Sequence, residues 1–239
     1  MSNTPGKLYL IPTRLGDNPP LEVLPISIKK IIEQVDDYIA ENEKTARRFI
    51  KRVSPNKSQG KLSFKPLNKF TDPSEISSYL DECKEGKSIG LLSEAGCPAI
   101  ADPGADIVNL AHQNNIKVIP LVGPSSIVLA MMSSGMNGQG FAFNGYLPID
   151  ARERRSKIKE LEKRSVQLNQ SQIFIETPYR NDKMLQDLAK SLHPETRICV
   201  ACDLTLPTEY IKTATASEWS KIKVDLHKRP TIFIIQKDF

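Results

Sequence analysis

The sequence predicts an α/β protein made of two lobes. Short runs of β-branched and aromatic residues alternate with longer segments whose apolar residues recur at helical spacing, which is typical of helices packed on a largely parallel sheet. This pattern begins again after residue 121, and 239 residues with 39% apolar content can bury one or two hydrophobic cores. We therefore expect an amino-terminal α/β lobe at 1–121 and a carboxyl-terminal α/β lobe at 122–239.

The first half contains five strand-like runs separated by helical patterns. The strand candidates are 8–11, 38–40, 62–64, 89–92 and 117–121. Helical spacing is found at 26–32, 44–52 and 107–112. A further helix is expected to begin at 72–75 (Asp-Pro-Ser-Glu), because an acidic first turn with an early proline suits a helix start.

The second half repeats the alternation. Its strand candidates are 141–143, 173–175, 198–202, 210–213 and 231–235, and its helical segments are 125–132, 152–164 and 184–192. Cys199 and Cys202 form a Cys-x-x-Cys pair inside an apolar strand, so we expect core packing rather than redox chemistry. The three histidines are not spaced to complete a zinc site with this pair, and no metal is expected.

Basic residues are concentrated in two segments, although the net charge of +5 is only mildly basic. The first segment contains Lys44, Arg47, Arg48, Lys51 and Arg52. The second contains Arg152, Arg154, Arg155, Lys157, Lys159, Lys163 and Arg164. Each segment alone is compatible with a solvated helix face, whereas the two together favour contacts with the phosphates of a nucleic acid.

No feature of the sequence predicts a membrane or export signal. The chain has no apolar run near the ~20 residues that a membrane-spanning helix needs. The amino-terminal segment 1–6 is short and polar, and it lacks the apolar stretch of a secretory signal. We therefore expect the protein in the cytoplasm.

Three strand-to-helix loops have the composition of ligand-binding loops. The stretch 91–104 follows an apolar strand and contains two glycines, two prolines and two carboxylates, and ligands of open α/β sheets bind beyond the carboxyl ends of strands. The alternative is an ordinary turn in which Asp102 caps the next helix. Similar loops occur at 120–126 and 175–180. None contains the glycine pattern of a nucleotide triphosphate or dinucleotide site.

These loops carry motifs that resemble one known family. The stretch 93–104 is similar to the S-D-A-G-x-P-x-x-x-D-P-G signature of the tetrapyrrole-methylase superfamily, in its ribosomal RNA ribose 2′-O-methyltransferase branch. In the same branch, 123–126 resembles G-P-S-A, 144–148 resembles E-G-F-L-P and 176–180 resembles E-S-P-H-R. Residues 203–209 are similar to E-L-T-K-x-x-E-E, so the resemblance runs along nearly the whole chain.

The resemblance implies two α/β lobes of the tetrapyrrole-methylase type, with S-adenosylmethionine as cofactor in the cleft between them, and a homodimer. Carboxylates suit this cofactor because its sulfonium is cationic and its amino and ribose groups donate hydrogen bonds. Carried over by position, the implied cofactor-binding residues are Leu15, Gly16, Ser93, Glu94, Ala95, Gly96, Pro98, Asp102, Ser125, Ser126, Thr177, Leu204, Pro230 and Thr231.

The acceptor implied by the resemblance is a ribose hydroxyl of ribosomal RNA. The candidates for a general base are Glu41, Glu94 and Asp102. The candidates for binding the RNA are Lys44, Arg47, Arg48 and Asn68. The element around Glu41 keeps the family's glutamate but lacks its aspartate. Two alternatives therefore stay open: a methylase of a tetrapyrrole or another small molecule, and a non-catalytic relative that binds the cofactor or RNA.

Overall fold

The computed structural model describes residues 5–238. The chain divides into two units, the first ending at Ser125 and the second beginning at Ser126. This division falls in the loop after the fifth strand, shortly after the boundary expected at residue 121. Each unit is built around its own five-stranded sheet, and α/β architecture in both is as predicted.

The first unit is organised around a fully parallel sheet. Its strands are β1 (Lys7–Ile11), β2 (Asp37–Ala40), β3 (Ser63–Pro66), β4 (Ile89–Leu92) and β5 (Lys117–Pro120). Its helices are α1 (Pro20–Val23), α2 (Ile26–Gln34), α3 (Glu43–Val53), α4 (Pro73–Ile76), α5 (Asp81–Lys84) and α6 (Ala105–Gln113), with a 3-10 turn at Gln59–Lys61. The strand order is β3-β2-β4-β1-β5, so β4 is central.

Two apolar clusters cover the faces of this sheet. One includes Ile11, Ile28 and Phe49, and the other includes Leu8, Ile89 and Ile107. All four residues of β4 are buried, as expected for a strand covered by helices on both faces. Because the strands are parallel, the loops after β1, β2, β4 and β5 all lie at one edge of the sheet.

The helix expected from Asp72 begins there but ends after one turn. The Asp72 carboxylate accepts from the Ser74 backbone amide at 2.9 Å, as an N-cap does. The hydroxyls of Ser77 and Ser78 then donate to the carbonyls of Ser74 and Glu75. These side-chain bonds compete with continuation of the helix, which resumes only as the short α5.

The second unit has a mixed sheet. Its helices are α7 (Ser126–Ser133), α8 (Ala151–Gln167), α9 (Asn181–Ser191) and α10 (Ala216–Trp219). Its strands are β6 (Phe141–Tyr146), β7 (Ser171–Ile175), β8 (Arg197–Cys202), β9 (Tyr210–Thr215) and β10 (Thr231–Gln236). In the order β6-β7-β10-β8-β9, only β6 and β7 are parallel. No helix separates β8 from β9, so the chain returns as an antiparallel hairpin.

The core of the second unit contains the Cys-x-x-Cys pair. Cys199 and Cys202 are fully buried in β8 and are not joined by a disulfide. Burial raises the pKa of both thiols, which opposes formation of a reactive thiolate. The prediction of core packing is confirmed.

Candidate functional site

The loop after β4 carries an unusual backbone. Four of its residues adopt positive φ angles, namely Gly96 (80°), Ala99 (62°), Ala101 (58°) and Gly104 (139°). A left-handed conformation costs a residue with a Cβ roughly 1–2 kcal/mol, so it persists where the surroundings enforce it, and such strain is concentrated at functional sites. This loop is therefore held in a defined shape by its neighbours.

The neighbours that hold the loop come from the loops after β1 and β5. The Thr13 backbone amide donates to the Gly96 carbonyl at 2.9 Å, and the Ser93 hydroxyl donates to the same carbonyl. The thiol of Cys97 contacts the Pro124 carbonyl at 3.5 Å. A Cβ on Gly96 would lie 3.2 Å from Leu15 and 3.4 Å from the Pro124 carbonyl oxygen. A side chain at this glycine would therefore be tight against Leu15, and the φ of 80° would be unfavourable for it.

Asp102 does not cap the helix that follows the loop. The N-cap of α6 is Gly104, and no side chain caps that helix. The interpretation of 91–104 as an ordinary capped turn is therefore wrong.

A cavity of about 220 Å³ opens at this edge of the sheet. Its walls come from the loop after β1, the first two turns of α3 and the start of the loop after β4. It is lined by Thr13, Arg14, Leu15, Gly16, Asp17, Thr45, Ala46, Arg48, Phe49, Leu92, Ser93, Glu94 and Ala95. The cavity brings together five of the predicted cofactor-binding residues, from 15–16 and 93–95, with the predicted RNA-binding Arg48.

Three carboxylates meet beside this cavity. Glu41, Glu94 and Asp102, all predicted candidates for the general base, line a small recess together with Leu67. Burial raises the pKa of Asp102 to about 6, and the negative charges of Glu41 and Glu94 add to the shift. The Oδ2 atom of Asp102 is buried and has no hydrogen-bond partner among the described residues. The arrangement can therefore hold or accept a proton near neutral pH.

Glu94 and the first loop are positioned by contacts that the sequence analysis did not predict. Thr45 donates to the Glu94 carboxylate at 2.7 Å, and the hydroxyls of Thr13 and Ser93 lie 3.3 Å apart. Their sequence separations of 49 and 80 residues leave no local signal. Asp17 is bridged by Arg14 and Arg52, and this pairing, with Arg52 contributing most, lowers its pKa.

The predicted RNA-binding residues of α3 differ in whether they have partners within the protein. The Arg47 guanidinium donates to the Glu43 carboxylate and to the Leu62 carbonyl, and it lies 4.7 Å from the centre of the Phe64 ring. Arg47 therefore joins α3 to β3. Arg48 is exposed on the cavity wall, and Lys44 is exposed at the start of the helix.

Asn68 is hydrogen-bonded to the backbone of Glu41. Its side-chain amide donates to the Glu41 carbonyl at 3.3 Å, and its side-chain oxygen accepts from the Phe70 amide at 2.9 Å. These contacts fix the loop after β3 beside the loop after β2. The RNA-binding role of Asn68 stays a prediction.

Three other residues predicted to bind the cofactor do not line this cavity. Pro98 is buried within the loop after β4. Ser125 ends the first unit, and Ser126 begins α7 in the second. Their contribution to cofactor binding stays a prediction.

The cofactor residues predicted in the second unit lie on connected loops. Thr177 follows β7, and its amide donates to the buried Glu176 carboxylate at 2.6 Å. Leu204 follows β8 between two residues with positive φ, Asp203 and Thr205. The Asp203 amide donates to the Pro230 carbonyl at 2.9 Å, which joins the Leu204 loop to the start of β10 at Thr231.

The described residues also bear on metal binding and on membrane insertion. Between residues 5 and 238 no group of three or more histidine, cysteine, aspartate or glutamate side chains is placed to hold a metal ion. In the same part of the chain, no helix is long and apolar enough to cross a membrane.

Comparisons with known proteins point to one family. A family model described as tetrapyrrole (corrin/porphyrin) methylases matches residues 19–219. Ribosomal RNA small subunit methyltransferase I of Buchnera aphidicola subsp. Schizaphis graminum is 29% identical over 240 residues, covering 99% of this chain and 80% of its own. The protein of that name from Neisseria meningitidis serogroup A is 30% identical over 214 residues, covering 89% and 69%.

Solved structures share the fold at low sequence identity. The methyltransferase CobJ superposes with a TM-score of 0.62 at 13% identity, covering 97% of this chain and 94% of its own. Cobalt precorrin-4 methyltransferase superposes with a TM-score of 0.59 at 15% identity, covering 96% and 94%. These likenesses support the architecture of two α/β lobes.

Proposed function

The chain belongs to the tetrapyrrole (corrin/porphyrin) methylase family, and from this premise we propose that it transfers a methyl group from S-adenosylmethionine to a ribose 2′-hydroxyl of ribosomal RNA. Methyl transfer follows from the family. The RNA acceptor is supported by relatives named ribosomal RNA small subunit methyltransferase I, whose similarity extends along most of this chain.

The observation that carries the proposal is the cavity at the edge of the first sheet with its adjacent carboxylates. The cofactor is cationic at its sulfonium, and its amino and ribose groups donate hydrogen bonds. Glu94 and the unpartnered Oδ2 of Asp102 offer acceptors for such groups. Gly96 permits close approach of the backbone, because the loop around it is fixed and has no side chain at that point. The residues present therefore fit the cofactor.

The cofactor, when bound, supplies a methyl group on a sulfonium that is a good leaving group. Glu94 and Asp102 would hold the cofactor so that its methyl group could pass to the ribose oxygen, with the neutral thioether as the leaving group. The protein's tasks are to align the acceptor oxygen and to exclude water. The hydroxyl proton needs an acceptor, and we assign it to the Asp102 carboxylate, whose pKa of about 6 leaves it ionised yet basic at neutral pH.

The other two carboxylates have supporting roles in this proposal. Glu94 is held by the Thr45 hydroxyl at 2.7 Å and contacts the cofactor. Glu41 raises the pKa of Asp102 through its charge. On the acceptor side, Arg48 on the cavity wall and Lys44 at the start of α3 bind phosphates next to the target ribose, since both are exposed and form no ion pair among the described residues.

The test is to incubate the protein with donor labelled in its methyl group. The acceptors are small-subunit ribosomal RNA from cells that lack the methylase and, separately, a tetrapyrrole extract. Label in the ribose of the RNA supports the proposal. Label in the extract alone would identify a small-molecule methylase, and label in neither, with tight cofactor binding, would identify a non-catalytic relative.

A matched pair of variants tests the role of Asp102. Asp102→Asn is expected to slow methyl transfer about 100-fold or more, because the proton acceptor is lost. Asp106→Asn removes one carboxylate from the exposed first turn of α6 and should leave the rate unchanged. Equal rates for the two variants would remove Asp102 from the mechanism.

We further propose that the protein works as a homodimer in the cytoplasm. Large apolar side chains of the second unit are exposed in the single chain, including Met132 (75%), Ile149 (71%) and Tyr146 (61%). Where such side chains form one contiguous patch, they mark a surface that another protein covers. Sedimentation equilibrium should give twice the chain mass of 26.7 kDa, and a monomer would contradict this part of the proposal.

A further inference from the structure

Helix α8 contains seven basic residues, and the structure divides them into two groups. The first group has partners within the protein. Arg154 is buried and pairs with Asp187 at 2.7 Å. Lys157 and Arg164 both pair with Glu160, at 2.8 and 3.9 Å. These three residues are therefore already engaged in ion pairs within the fold.

The second group consists of four exposed cations on α8. They are Arg152, Arg155, Lys159 and Lys163. None of their side chains forms an ion pair or a hydrogen bond with any residue between 5 and 238. At 100° per residue, their positions fall within a sector of about 80° on the helix surface, and at 1.5 Å per residue they span about 16 Å. We call this row of four cations the α8 stripe.

The α8 stripe faces away from the core of the second unit. The buried residues of the helix, including Ile158 and Leu161, lie on the opposite side. The residue within the sector that is not basic is Val166, which is half-buried near the end of the helix, and Glu162 lies just outside the sector beside Arg155. The acidic residues Glu153 and Glu160 lie to one flank of the sector by their helical angle. The stripe is therefore a continuous positive surface with an acidic border.

We propose that the α8 stripe binds the sugar–phosphate backbone of the RNA substrate, as an anchoring surface in the second unit separate from the cavity of the first unit. This inference rests on the proposed function. A length of about 16 Å matches about five successive phosphates of a stacked strand, whose repeat is about 3.4 Å. Each cation can therefore meet a different phosphate.

The energetics favour such binding. The four cations have no ion pair to break, so their contacts with phosphate are not offset by the loss of internal ones. Neutralising phosphates also releases condensed counterions, which makes the affinity depend on salt. Because the contacts are with phosphates, the stripe adds affinity and orientation without reading the base sequence.

The composition of the exposed face favours RNA over a membrane. A helix that lies on a membrane combines basic residues with large apolar side chains on the buried face. None of the exposed large apolar residues of the described chain belongs to α8. Binding to anionic vesicles or to an acidic protein therefore belongs among the outcomes that would overturn the proposal.

Two double variants provide a matched test. Arg155→Gln with Lys159→Gln removes one arginine and one lysine from the stripe. Lys157→Gln with Arg164→Gln removes the same two residue types from the same helix, but from positions paired with Glu160. Both doubles lower the net charge by two, so any effect of overall charge is the same. Unchanged affinity for S-adenosylhomocysteine confirms that each is folded.

The measurement is the affinity for small-subunit ribosomal RNA as a function of salt. The stripe double is expected to bind about 20-fold more weakly at 0.1 M salt and to lower the salt slope by about 1.4, since each contact with a single strand contributes about 0.7. The control double should bind like the unmodified protein. The proposal would be overturned if both doubles bound RNA equally weakly or if neither bound it more weakly. It would also be overturned if the stripe double kept its affinity for RNA but lost binding to anionic vesicles or polyglutamate.

Failure of this inference can be distinguished from failure of the proposed function. If the unmodified protein labels the RNA but the two doubles bind it alike, the function stands and the stripe is a solvated surface. If the protein binds RNA through the stripe but transfers no methyl group, the inference stands and the proposed reaction is wrong. If the protein binds no RNA, both are wrong.

Discussion

Asp102 illustrates how the surroundings of a single residue set its chemistry. A carboxylate on an exposed loop is ionised at any pH above about 4. Partial burial next to Glu41 and Glu94 raises the pKa of Asp102 to about 6. The ionised form is therefore disfavoured in the folded protein, and the residue is expected to stabilise the fold only when it carries a proton.

The residue-scale prediction is that Asp102→Asn stabilises the protein above pH 6. The native pKa lies above the ordinary value of 3.8, so the stabilisation is fully present below about pH 4 and is lost as the pH rises through about 6. Asparagine cannot ionise and avoids this loss. Since the side chain is only partly buried, solvent screening reduces the gain to about 1 kcal/mol at pH 7.5.

Urea unfolding at pH 4.5 and pH 7.5 measures this difference. The free energies of unfolding of the two proteins should converge at the lower pH. A variant that is equally or less stable at pH 7.5 would show that the carboxylate is not destabilised by its surroundings.

At the scale of elements, the loop after β4 and helix α8 place their residues in different ways. The loop is fixed by backbone contacts with the loops after β1 and β5 and has little room for side chains. The helix instead distributes its basic residues around its axis, so that neighbours in sequence have unrelated roles. Arg154 is buried against Asp187, whereas Arg155 belongs to the α8 stripe.

The first element-scale prediction concerns Gly96. In Gly96→Val the new side chain meets Leu15 and the Pro124 carbonyl, and the φ of 80° is unfavourable for valine. We expect the affinity for S-adenosylhomocysteine, measured by calorimetry, to fall at least 100-fold. Gly135→Val is the control, since Gly135 has a φ of 67° but open space around its Cβ position. Retained affinity in Gly96→Val would place the cofactor elsewhere.

The second element-scale prediction compares adjacent arginines of α8. Burial alone would raise the pKa of Asp187, but hydrogen bonds from Arg154 and Lys183 hold it below its usual value. Arg154→Gln leaves this buried carboxylate with Lys183 alone and should lower the free energy of unfolding by about 3 kcal/mol. Arg155→Gln should change it by less than about 0.5 kcal/mol. Equal effects in urea unfolding would contradict the assignment of Arg154 to the core.

At the scale of the whole molecule, each unit has its own sheet and its own apolar core. The two units can be followed separately because the chain has a single tryptophan. Trp219 is buried in the second unit, where its indole donates to the Ile198 carbonyl at 2.8 Å. Its fluorescence therefore reports on the unfolding of that unit.

The whole-molecule prediction uses this signal. At a concentration 100 times its Kd, S-adenosylhomocysteine should raise the free energy of unfolding of each unit that binds it by about 2.7 kcal/mol. If Thr177 and Leu204 bind the cofactor as predicted, the unfolding transition of Trp219 shifts by this amount. A shift in circular dichroism without a shift in Trp219 fluorescence would restrict the cofactor site to the first unit. Gly96→Val, measured in parallel, should show neither shift.

The family, the type and order of the main elements and the loops at which ligands are expected could all be predicted from the sequence. These features depend on hydrophobic periodicity, helix-start residues and motifs in the right order, all of which are local. The expected strand at 89–92 is β4 residue for residue. Local signals were weaker after Asp72, where serine hydroxyls end the expected helix early.

Which side chains are free and which already have partners could be seen only in the folded chain. The contacts between Arg154 and Asp187, Thr45 and Glu94, and Thr13 and Ser93 join residues 33, 49 and 80 positions apart. The raised pKa of Asp102 likewise requires burial and two charges brought from other parts of the chain. Burial and electrostatic interaction depend on distance in space, and the folding of the chain sets that distance.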